Sequence, residues 1–374
     1  MKVQSRPEVP SRLGVGPVSR NTVDATIRMA YRHQRTVMLV ASRGQIECDE
    51  MGGGYVGRWT TESFTRYVRD RDPAGLVKIC RDHGGPWQHP EDSARDHSEQ
   101  HVLDRSLVSL RADIRSGMDL LHIDTSREGQ EGADFERALK RLVMLYHECQ
   151  EYAHSRNEML GFEIGLERQS DEADDPREFS AKLERIVDAL ASACLRWPTF
   201  VVVQTGTRVE GTKNRGALVT HREAVVEAVG ELARICWENG MALKAHNVDY
   251  LPADAITGLF RSGTDAINVA PEFGVLETLS LLELLNELKL PRERDNFLQL
   301  AYESGAWRKW FDDGGTDLDR SVVAGHYVFA TDEFLEIKRQ ANQACRRSLG
   351  FTVDGVLGKA LDRALERYAR LAWM

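Results

Sequence analysis

An aspartate and a histidine, Asp82 and His83, stand side by side directly after a short apolar run at residues 76–80. A Gly-Gly-Pro turn sequence follows them at residues 84–86. The pattern predicts a buried strand that presents a carboxylate and an imidazole at its C-terminal end. These two side-chain types can move protons at a reacting carbon or bind a divalent metal ion.

Comparable polar residues follow or end other apolar runs of the chain. They are Asp124 after residues 120–123, Glu163 and Glu167 around the end of 160–164, Gln204 after 200–203, His246 and Asn247 after 241–245, and Asn268 within 266–269. If these runs are parallel strands of one barrel, their C-terminal ends share one side and the polar side chains meet there.

Two histidines and a glutamate of this set, His83, His246 and Glu163, are predicted to bind one divalent metal ion. Imidazole and carboxylate ligands together suit Zn, Mn, Fe or Co better than Mg or Ca. Zinc is the first expectation, and manganese or cobalt are the alternatives. The metal would polarise a carbonyl group or stabilise an enediolate.

The predicted proton carriers are Asp82, Glu167 and Asp124. Strand alternation leaves open whether Glu163 or Glu167 faces the interior. Asp124 fits a helix cap or a supporting partner equally well. His122 is interpreted as a structural histidine that points into the surrounding helix layer.

Six polar residues are predicted to bind substrate: Gln204, Lys244, Asn247, Asn268, Glu272 and Arg58. Lys244 is expected to neutralise a substrate oxyanion; a Schiff-base role is the rival interpretation, and the nearby His246 favours the metal route. The loop at residues 205–216, rich in glycines and cations, fits an anion-binding loop or a flexible surface loop.

The elements that position these residues are apolar runs alternating with amphipathic stretches. Eight candidate strands lie at residues 13–18, 37–41, 76–80, 120–123, 160–164, 200–203, 241–245 and 266–269. Eight repeats, with no glycine-rich phosphate loop after the first strand, favour a closed (β/α)8 TIM barrel over an open α/β sheet. Residues 1–290 are predicted to form the barrel, and residues 291–374 a C-terminal helical extension packed on it.

The composition excludes several classes of function. The chain has 374 residues and a formal net charge of −9, which argues against an unaided nucleic-acid partner. It has no apolar run near the roughly 18 residues of a membrane helix and no secretory-signal centre. Six scattered cysteines without a CxxC pair are typical of reduced thiols, and we expect a cytoplasmic protein.

Several short motifs resemble the GatZ/KbaZ family, the non-catalytic subunit of class II tagatose-bisphosphate aldolase. The matching stretches are Gly53-Gly54-Tyr55-Val56-Gly57, Asp82-His83-Gly84-Gly85-Pro86, His122-Ile123-Asp124-Thr125-Ser126, Ile164-Gly165-Leu166-Glu167, Val203-Gln204-Thr205-Gly206, Ala245-His246-Asn247-Val248-Asp249-Tyr250 and Ala270-Pro271, with a weaker match at Ala306-Trp307-Arg308-Lys309-Trp310. They fall in the family's order between about Gly14 and Leu284.

The resemblance implies a class II aldolase-type barrel. In the class II aldolases an Asp-His pair follows the third strand, the Asp carrying the proton and the His binding zinc, and Asp82-His83 matches that pair. His246 matches their histidine after the seventh strand. Their sixth-strand histidine has no match, because Gln204 stands there.

Two departures from the family concern its phosphate groups. Glu272 and Glu277 follow the eighth-strand proline where the family has a threonine and an arginine. An acid 4 Å from a phosphate costs roughly 1 to 4 kcal/mol per pair of charges, depending on the local dielectric. The family's arginine-rich tail stretch is also replaced, by Gly325-His326-Tyr327-Val328-Phe329. Both changes argue against a bisphosphate substrate.

The sequence therefore predicts a metal-dependent, class II aldolase-like enzyme that acts on a sugar or sugar phosphate. Aldol cleavage or formation and epimerisation through an enediolate are both open. The alternative is a non-catalytic subunit that stabilises a separate tagatose-bisphosphate aldolase. The expected partners are a small sugar substrate and either further copies of this chain or a catalytic aldolase subunit.

Overall fold

Eight parallel strands close into a barrel, which confirms the predicted fold class. The computed structural model describes residues 6–94, 97–129, 131–165, 170–311 and 314–374. The barrel strands are β1 (Leu13–Val15), β2 (Val37–Ser42), β3 (Val77–Gly84), β4 (Leu120–Asp124), β5 (Gly161–Gly165), β6 (Phe200–Val203), β7 (Ala242–Ala245) and β8 (Ala266–Val269). Each strand pairs with its neighbours in sequence, and β1 closes the ring by pairing with β8.

Helices surround the barrel and continue to the C-terminus. They are α1 (Arg20–His33), α2 (Thr61–Arg71), α3 (Pro90–Ala94), α4 (Glu99–Arg115), α5 (Phe135–Ser155), α6 (Pro176–Ser192), α7 (Ala217–Thr220), α8 (Arg222–Glu238), α9 (Ala253–Ser262), α10 (Pro271–Glu287), α11 (Pro291–Glu303), α12 (Asp317–Ala324), α13 (Asp332–Leu349) and α14 (Val353–Ala372). Short 3-10 helices lie at Asp49–Met51, Ala306–Trp310 and Gly325–Val328, and two-stranded hairpins pair Arg127–Glu128 with Glu131–Gly132 and Val209–Glu210 with Lys213–Asn214.

Side-chain caps fix where the helices around the barrel begin. The N-cap residues Ser19, Thr60, Ser98, Asp134 and Asp175 each accept a hydrogen bond from a backbone N–H of the first turn. Such a cap satisfies donors that a helix leaves unpaired and contributes about 1 kcal/mol. The helix starts, and the strand ends that precede them, are therefore encoded locally.

Strand alternation divides the barrel into an outer and an inner set of side chains. The bottom of the interior is apolar and is filled by Met38, Val40, Cys80, Leu120 and Phe200, with small alanines from β7 and β8. One step further along β2, β3, β4, β7 and β8, the inward positions are polar, namely Ser42, Asp82, His122, Lys244 and Asn268. This polar layer lies at the mouth, the end of the barrel where the strands have their C-terminal ends, and it holds the candidate site.

The third strand is longer than predicted and irregular at its end. It runs through Asp82 and His83 to Gly84, and its register with β4 shifts between Arg81 and Gly84. His83 has a φ of +47°, in the left-handed region. Regular alternation would turn His83 away from Asp82, toward the helices. The local irregularity instead lets two consecutive residues face the interior.

An ion-pair network in the helix layer holds the loop after β2 next to this strand end. Arg81 forms a two-pronged pair with Asp113 of α4 at 2.6 and 2.7 Å and donates to the backbone oxygen of Ile46. Arg43 binds Glu47 and also the backbone oxygen of Gly85. The side chains of Arg81, Asp113, Arg43 and Glu47 are fully buried. Glu47 keeps a pKa of about 2, because the charges of Arg43 and Arg81 outweigh the cost of burial.

The C-terminal region is helical, as predicted. Apolar side chains of α10 to α13 and the start of α14 form their own cluster, which includes Leu281, Phe297 and Phe334. The second half of α14 belongs to the barrel's core through Leu361, Leu365 and Tyr368, and it packs on α1 and α10. The predicted boundary at residue 290 stays a prediction. No helix in the described parts of the chain is both long enough and apolar enough to cross a membrane.

The Arg81–Asp113 pair yields a prediction about stability. Replacing Asp113 by alanine leaves the buried Arg81 charge without its main partner and should lower the free energy of unfolding by about 3 to 5 kcal/mol. Urea unfolding followed by circular dichroism measures the change. The control is Glu238→Ala, which removes an exposed helical pair with Arg234 and should cost less than about 1 kcal/mol. Equal losses in the two variants would contradict the role given to the network.

Candidate metal centre and proton-transfer site

Four side chains from different strands converge at the mouth: Asp82 of β3, His122 of β4, Glu163 of β5 and His246 after β7. Asp82 Oδ1 lies 3.4 Å from His122 Nδ1, and His122 Nδ1 lies 3.5 Å from Glu163 Oε1. His246 Nε2 lies 3.5 Å from Glu163 Oε1 and 3.9 Å from Asp82 Oδ1. All four residues offer a ligand atom within 4.8 Å of the others. We call this set the four-residue cluster.

The spacing of the four-residue cluster fits a divalent metal ion. A tetrahedral zinc ion with bonds of about 2.0 to 2.1 Å separates its ligand atoms by about 3.3 Å. Two imidazole nitrogens and two carboxylate oxygens are a common ligand set for Zn, Mn, Fe or Co. Glu163 Oε1 is buried and has no hydrogen-bond partner among the described residues, which is costly unless a cation occupies the site.

Glu163 links the cluster to Lys244, a lysine of the polar layer. Its second oxygen, Oε2, accepts a hydrogen bond of 2.6 Å from Lys244 Nζ, and both side chains are 1% exposed. Burial alone would raise the pKa of Glu163, but the charge of Lys244 and a contact with His246 lower it to about 2. Glu163 is therefore an anion. Lys244 fixes its Oε2, and its Oε1 faces the other residues of the cluster.

Asp82 is also held as an anion. Burial would raise the pKa of Asp82, but the neighbouring imidazoles of His83 and His246 keep it well below its usual range. For His246, burial is the largest effect and lowers its pKa, which favours the neutral ring that binds metals. Asp82 and Glu163 together carry two negative charges against the one positive charge of Lys244, so the cluster has a net negative charge that favours a bound cation.

The prediction that His122 points into the helix layer is wrong. His122 shares its strand face with Leu120, which fills the barrel interior, and its side chain is 1% exposed. Its Nδ1 lies 3.3 Å from the backbone nitrogen of His83 and within 3.5 Å of the carboxylate oxygens of Asp82 and Glu163, so this ring nitrogen lies at the cluster. The ring fits because β5 has a glycine opposite: a Cβ at Gly165 would lie 2.6 Å from His122 Nε2.

His83 belongs to a second group, with Asp124. His83 Nδ1 lies 2.5 Å from Asp124 Oδ2, and Asp124 Oδ1 accepts the N–H of Ser126. Burial alone would raise the pKa of Asp124, but the hydrogen bond and charge of His83 keep it below the usual range. His83 Nε2 lies on the other side of the ring, 3.9 Å from Asp82 Oδ2. An imidazole oriented by a buried carboxylate is suited to accept and return a proton.

The predicted metal ligands are thus divided between two groups. Glu163 and His246 lie in the four-residue cluster together with Asp82, the predicted proton carrier. His83 instead forms a group with His122 and Asp124. Its ring nevertheless lies close to the cluster, with its centroid 5.3 Å from that of His246. Glu167, the other glutamate considered, lies outside the described residues.

Three predicted substrate-binding residues lie at the mouth. Asn268 of β8 faces inward and is 6% exposed, and neither atom of its side-chain amide has a hydrogen-bond partner among the described residues. Gln204 is buried and accepts a hydrogen bond from the backbone N–H of Thr207. Asn247, with a φ of +55°, follows His246 and binds Asn214 through its backbone oxygen. Of the three, Asn268 has the greatest unused capacity to bind a ligand.

The other three predicted substrate-binding residues are engaged elsewhere. Lys244 pairs with Glu163 beneath the cluster. Glu272 accepts hydrogen bonds from the Tyr250 backbone N–H and the Tyr368 hydroxyl, which fixes α14 to the loop after β7. Arg58 is 60% exposed and pairs with Asp332 at the start of α13. Glu272 and Arg58 therefore have structural partners that lie far away in sequence.

The loop after β6 folds as a short hairpin whose arginines have acidic partners. Arg208 and Arg215 both bind Asp171, and Arg215 also binds Glu210. Paired cations of this kind have less charge left for a bound anion. The structure thus gives the hairpin a structural role, and it does not support an anion-binding loop at this position.

Comparison with solved structures finds barrel proteins that share the fold of this chain. A probable tagatose 6 phosphate kinase from Sinorhizobium meliloti matches with a TM-score of 0.73 and 18% identity over 96% of this chain and 100% of that one. Fructuronate-tagaturonate epimerase UxaE from Cohnella laeviribosi matches with a TM-score of 0.60 and 10% identity, over 98% and 83%. Fructose-bisphosphate aldolase from Campylobacter jejuni matches with a TM-score of 0.53 and 12% identity, over 97% and 89%.

Neither the protein-family models nor the curated protein sequences contain a match to this chain. The solved structures are all under 25% identical and therefore show a shared fold. The similarity extends over nearly the whole chain, including its helical C-terminal region.

The geometry of the two groups predicts which residues bind metal. Glu163→Gln and His122→Ala should weaken Zn(II) binding by more than the roughly 10- to 100-fold loss typical of an outer-shell partner. His83→Ala should stay within that range, because its ring lies outside the four-residue cluster. Competition with a chromophoric chelator, with metal content checked by mass spectrometry, measures the affinities. A larger loss in His83→Ala than in His122→Ala would contradict the assignment.

Proposed function

We propose that this protein is a metal-dependent, class II aldolase-like enzyme that acts on a sugar or sugar derivative. The observation that carries the proposal is the His83–Asp124 pair beside the four-residue cluster. The four-residue cluster can hold a cation, and the His83–Asp124 pair can move a proton. The His83 ring lies between them, with Nδ1 at Asp124 and Nε2 3.9 Å from Asp82 Oδ2. A purely structural barrel has no need for this arrangement, since buried charged groups cost stability.

In this proposal Asp82, His122, Glu163 and His246 hold the metal. The ion would supply Lewis-acid stabilisation of the negative charge that develops on a substrate carbonyl oxygen. Lys244 contributes by keeping Glu163 ionised and correctly oriented. This assignment moves Asp82 from proton carrier to ligand and moves His83 from ligand to proton carrier.

His83 is proposed to transfer the proton. In epimerisation, its Nε2 removes a proton from the carbon next to the carbonyl, and the bonding electrons pass into an enediolate. A water molecule on the opposite face protonates the carbon to give the epimer, and His83 gives its proton to the hydroxide that this leaves. In aldol cleavage the base removes a hydroxyl proton, the carbon–carbon bond breaks, and its electrons form the enediolate, which is then protonated. Asp124 stabilises the imidazolium form of His83 in either case.

The unpartnered amide of Asn268 is proposed to bind a hydroxyl or carbonyl oxygen of the sugar. A buried amide without partners is costly, and a substrate that satisfies it gains both orientation and specificity. The similarity in fold to an epimerase and an aldolase agrees with sugar chemistry at the mouth of the barrel.

One sequence feature favours a second candidate, the non-catalytic GatZ/KbaZ-type subunit. Gln204 stands where the class II aldolases have a zinc-binding histidine. In that case the chain would turn over no sugar alone, and it would stabilise a catalytic aldolase subunit on co-expression. The presence of His122 in the cluster weighs against this alternative, because it supplies an imidazole ligand from β4 instead.

Deuterium exchange tests the proposed chemistry without choosing between its two reactions. The zinc-loaded protein is incubated in D2O with ketose phosphates and keto-uronates. Proton NMR follows the loss of the C–H signal next to the carbonyl of the substrate, which reports epimerisation, and the entry of deuterium next to the carbonyl of any ketone product, which reports aldol cleavage. The wild type should exchange at least one substrate. His83→Ala should be about 100- to 10,000-fold slower at unchanged metal content, which is the usual contribution of a general base.

The matched control for that assay is His101→Ala, which removes an exposed histidine of α4. It should exchange at the wild-type rate. The proposal fails if no substrate in either class exchanges deuterium with Zn, Mn or Co bound. The role of His83 fails if His83→Ala exchanges as fast as His101→Ala.

A further inference from the structure

The segment between α11 and α13 connects two loops on opposite sides of the mouth. Trp310 accepts a hydrogen bond of 2.7 Å from the backbone N–H of Gly211, in the loop after β6. Tyr327 packs on Tyr55, in the loop after β2, with ring centroids 4.5 Å apart. Trp310 Nε1 donates to the Tyr327 hydroxyl at 3.1 Å and joins the two contacts.

The positions of β2 and β6 in the closed barrel show where this connection runs. In the ring of eight strands, β2 and β6 are four positions apart and therefore lie on opposite sides. A direct chain of contacts from one loop to the other passes over the mouth. The C-terminal region thus covers part of the mouth, above the four-residue cluster.

Lys309 lies at the centre of this connection. Its Nζ is 4.7 Å from the ring centroid of Trp310 and 4.8 Å from that of Tyr327, and the residue remains accessible to solvent. Partial removal of the ammonium group from water by these rings, followed by the positive charge of Arg127, lowers the pKa of Lys309. Arg127 follows β4, so three loops spaced around the mouth approach Lys309.

Lys309 and Arg127 lack acidic partners. Within the described parts of the chain, neither side chain forms an ion pair or a hydrogen bond with a carboxylate. By contrast, Arg137 and Arg141, which lie beside the hairpin that contains Arg127, both bind Glu128. Two like charges held near each other without an acid repel, and a bound anion removes that cost. Such a pair of donors is the usual means of recognising a carboxylate or phosphate.

We propose that Lys309 and Arg127 form a subsite that binds the anionic group of the substrate above the four-residue cluster. The inference rests on the proposed function and narrows its substrate class to sugars with one anionic group at the end remote from the reacting carbonyl. A sugar carboxylate and a sugar monophosphate share the chemistry that the subsite recognises. Glu272, engaged with Tyr368, plays no part in it.

Calorimetric titration of the zinc-loaded protein with inorganic phosphate, and separately with D-glucuronate, tests the subsite. The variants Lys309→Met and Arg127→Met should each bind the preferred anion roughly 10-fold or more weakly than the wild type, the loss expected for a charge-assisted hydrogen bond. A loss for phosphate identifies a sugar phosphate, and a loss for D-glucuronate identifies a sugar acid.

Two control variants match the changes in charge and surroundings. Lys359→Met removes an exposed lysine that lies 4.1 Å from the ring centroid of Phe351, a similar aromatic contact far from the mouth. Arg177→Met removes an exposed arginine at the start of α6. Both should bind as the wild type does. The subsite is overturned if the wild type binds neither anion, or if either Lys309→Met or Arg127→Met retains wild-type affinity.

Repeating the titrations with Glu163→Gln separates this inference from the proposed function. If the anion still binds in that variant and binding still depends on Lys309, the subsite stands whether or not the protein is an enzyme. If the wild type exchanges deuterium but shows no Lys309-dependent anion binding, the enzyme stands and the subsite fails.

Discussion

The interaction on which the site depends is the buried pair between Lys244 and Glu163. Lys244 lies next to the apolar bottom of the barrel interior, and its Nζ is 5.1 Å from the ring centroid of Phe200. Its hydrogen bond fixes one oxygen of Glu163 and leaves the other turned toward His122, His246 and Asp82. Without the lysine charge, a carboxylate at this depth would be neutral and a poor ligand. The pair thus makes a position in the barrel core one side of the candidate metal centre.

Strand alternation places the cluster residues on the inner face of the barrel at its mouth. An irregularity at the end of β3 adds His83 to them. Inward positions of β3, β4, β5 and β7 supply one cluster residue each. His83 would be excluded by the same alternation, but the left-handed backbone and the register shift at the end of β3 bring it inside. In the proposed function, its contact with Asp124 separates proton transfer from metal binding. The buried pair of Arg81 and Asp113 supports this strand end from outside.

Much of this could be predicted from the sequence. The eight apolar runs gave the barrel, and the polar residues at their ends gave Asp82, Glu163 and His246. The outward orientation predicted for His122 is wrong, although its strand contains the information. Asp124, two residues later, is predicted at the mouth, and alternation puts both residues on one face. The inward turn of His83 depends on a backbone irregularity without a sequence signature. Local sequence patterns do not encode contacts between residues about 100 or more positions apart. Such contacts connect Glu272 with Tyr368 and Arg58 with Asp332, and they place Lys309 and Trp310 over the mouth.

The most direct test of the account is a crystal structure of the zinc-loaded protein with anomalous data at the zinc edge. The account predicts one strong peak bonded to His122, Glu163, His246 and Asp82, with the His83 ring outside the coordination sphere and still hydrogen-bonded to Asp124. A peak bonded to His83, or an empty cluster at saturating zinc, would contradict it.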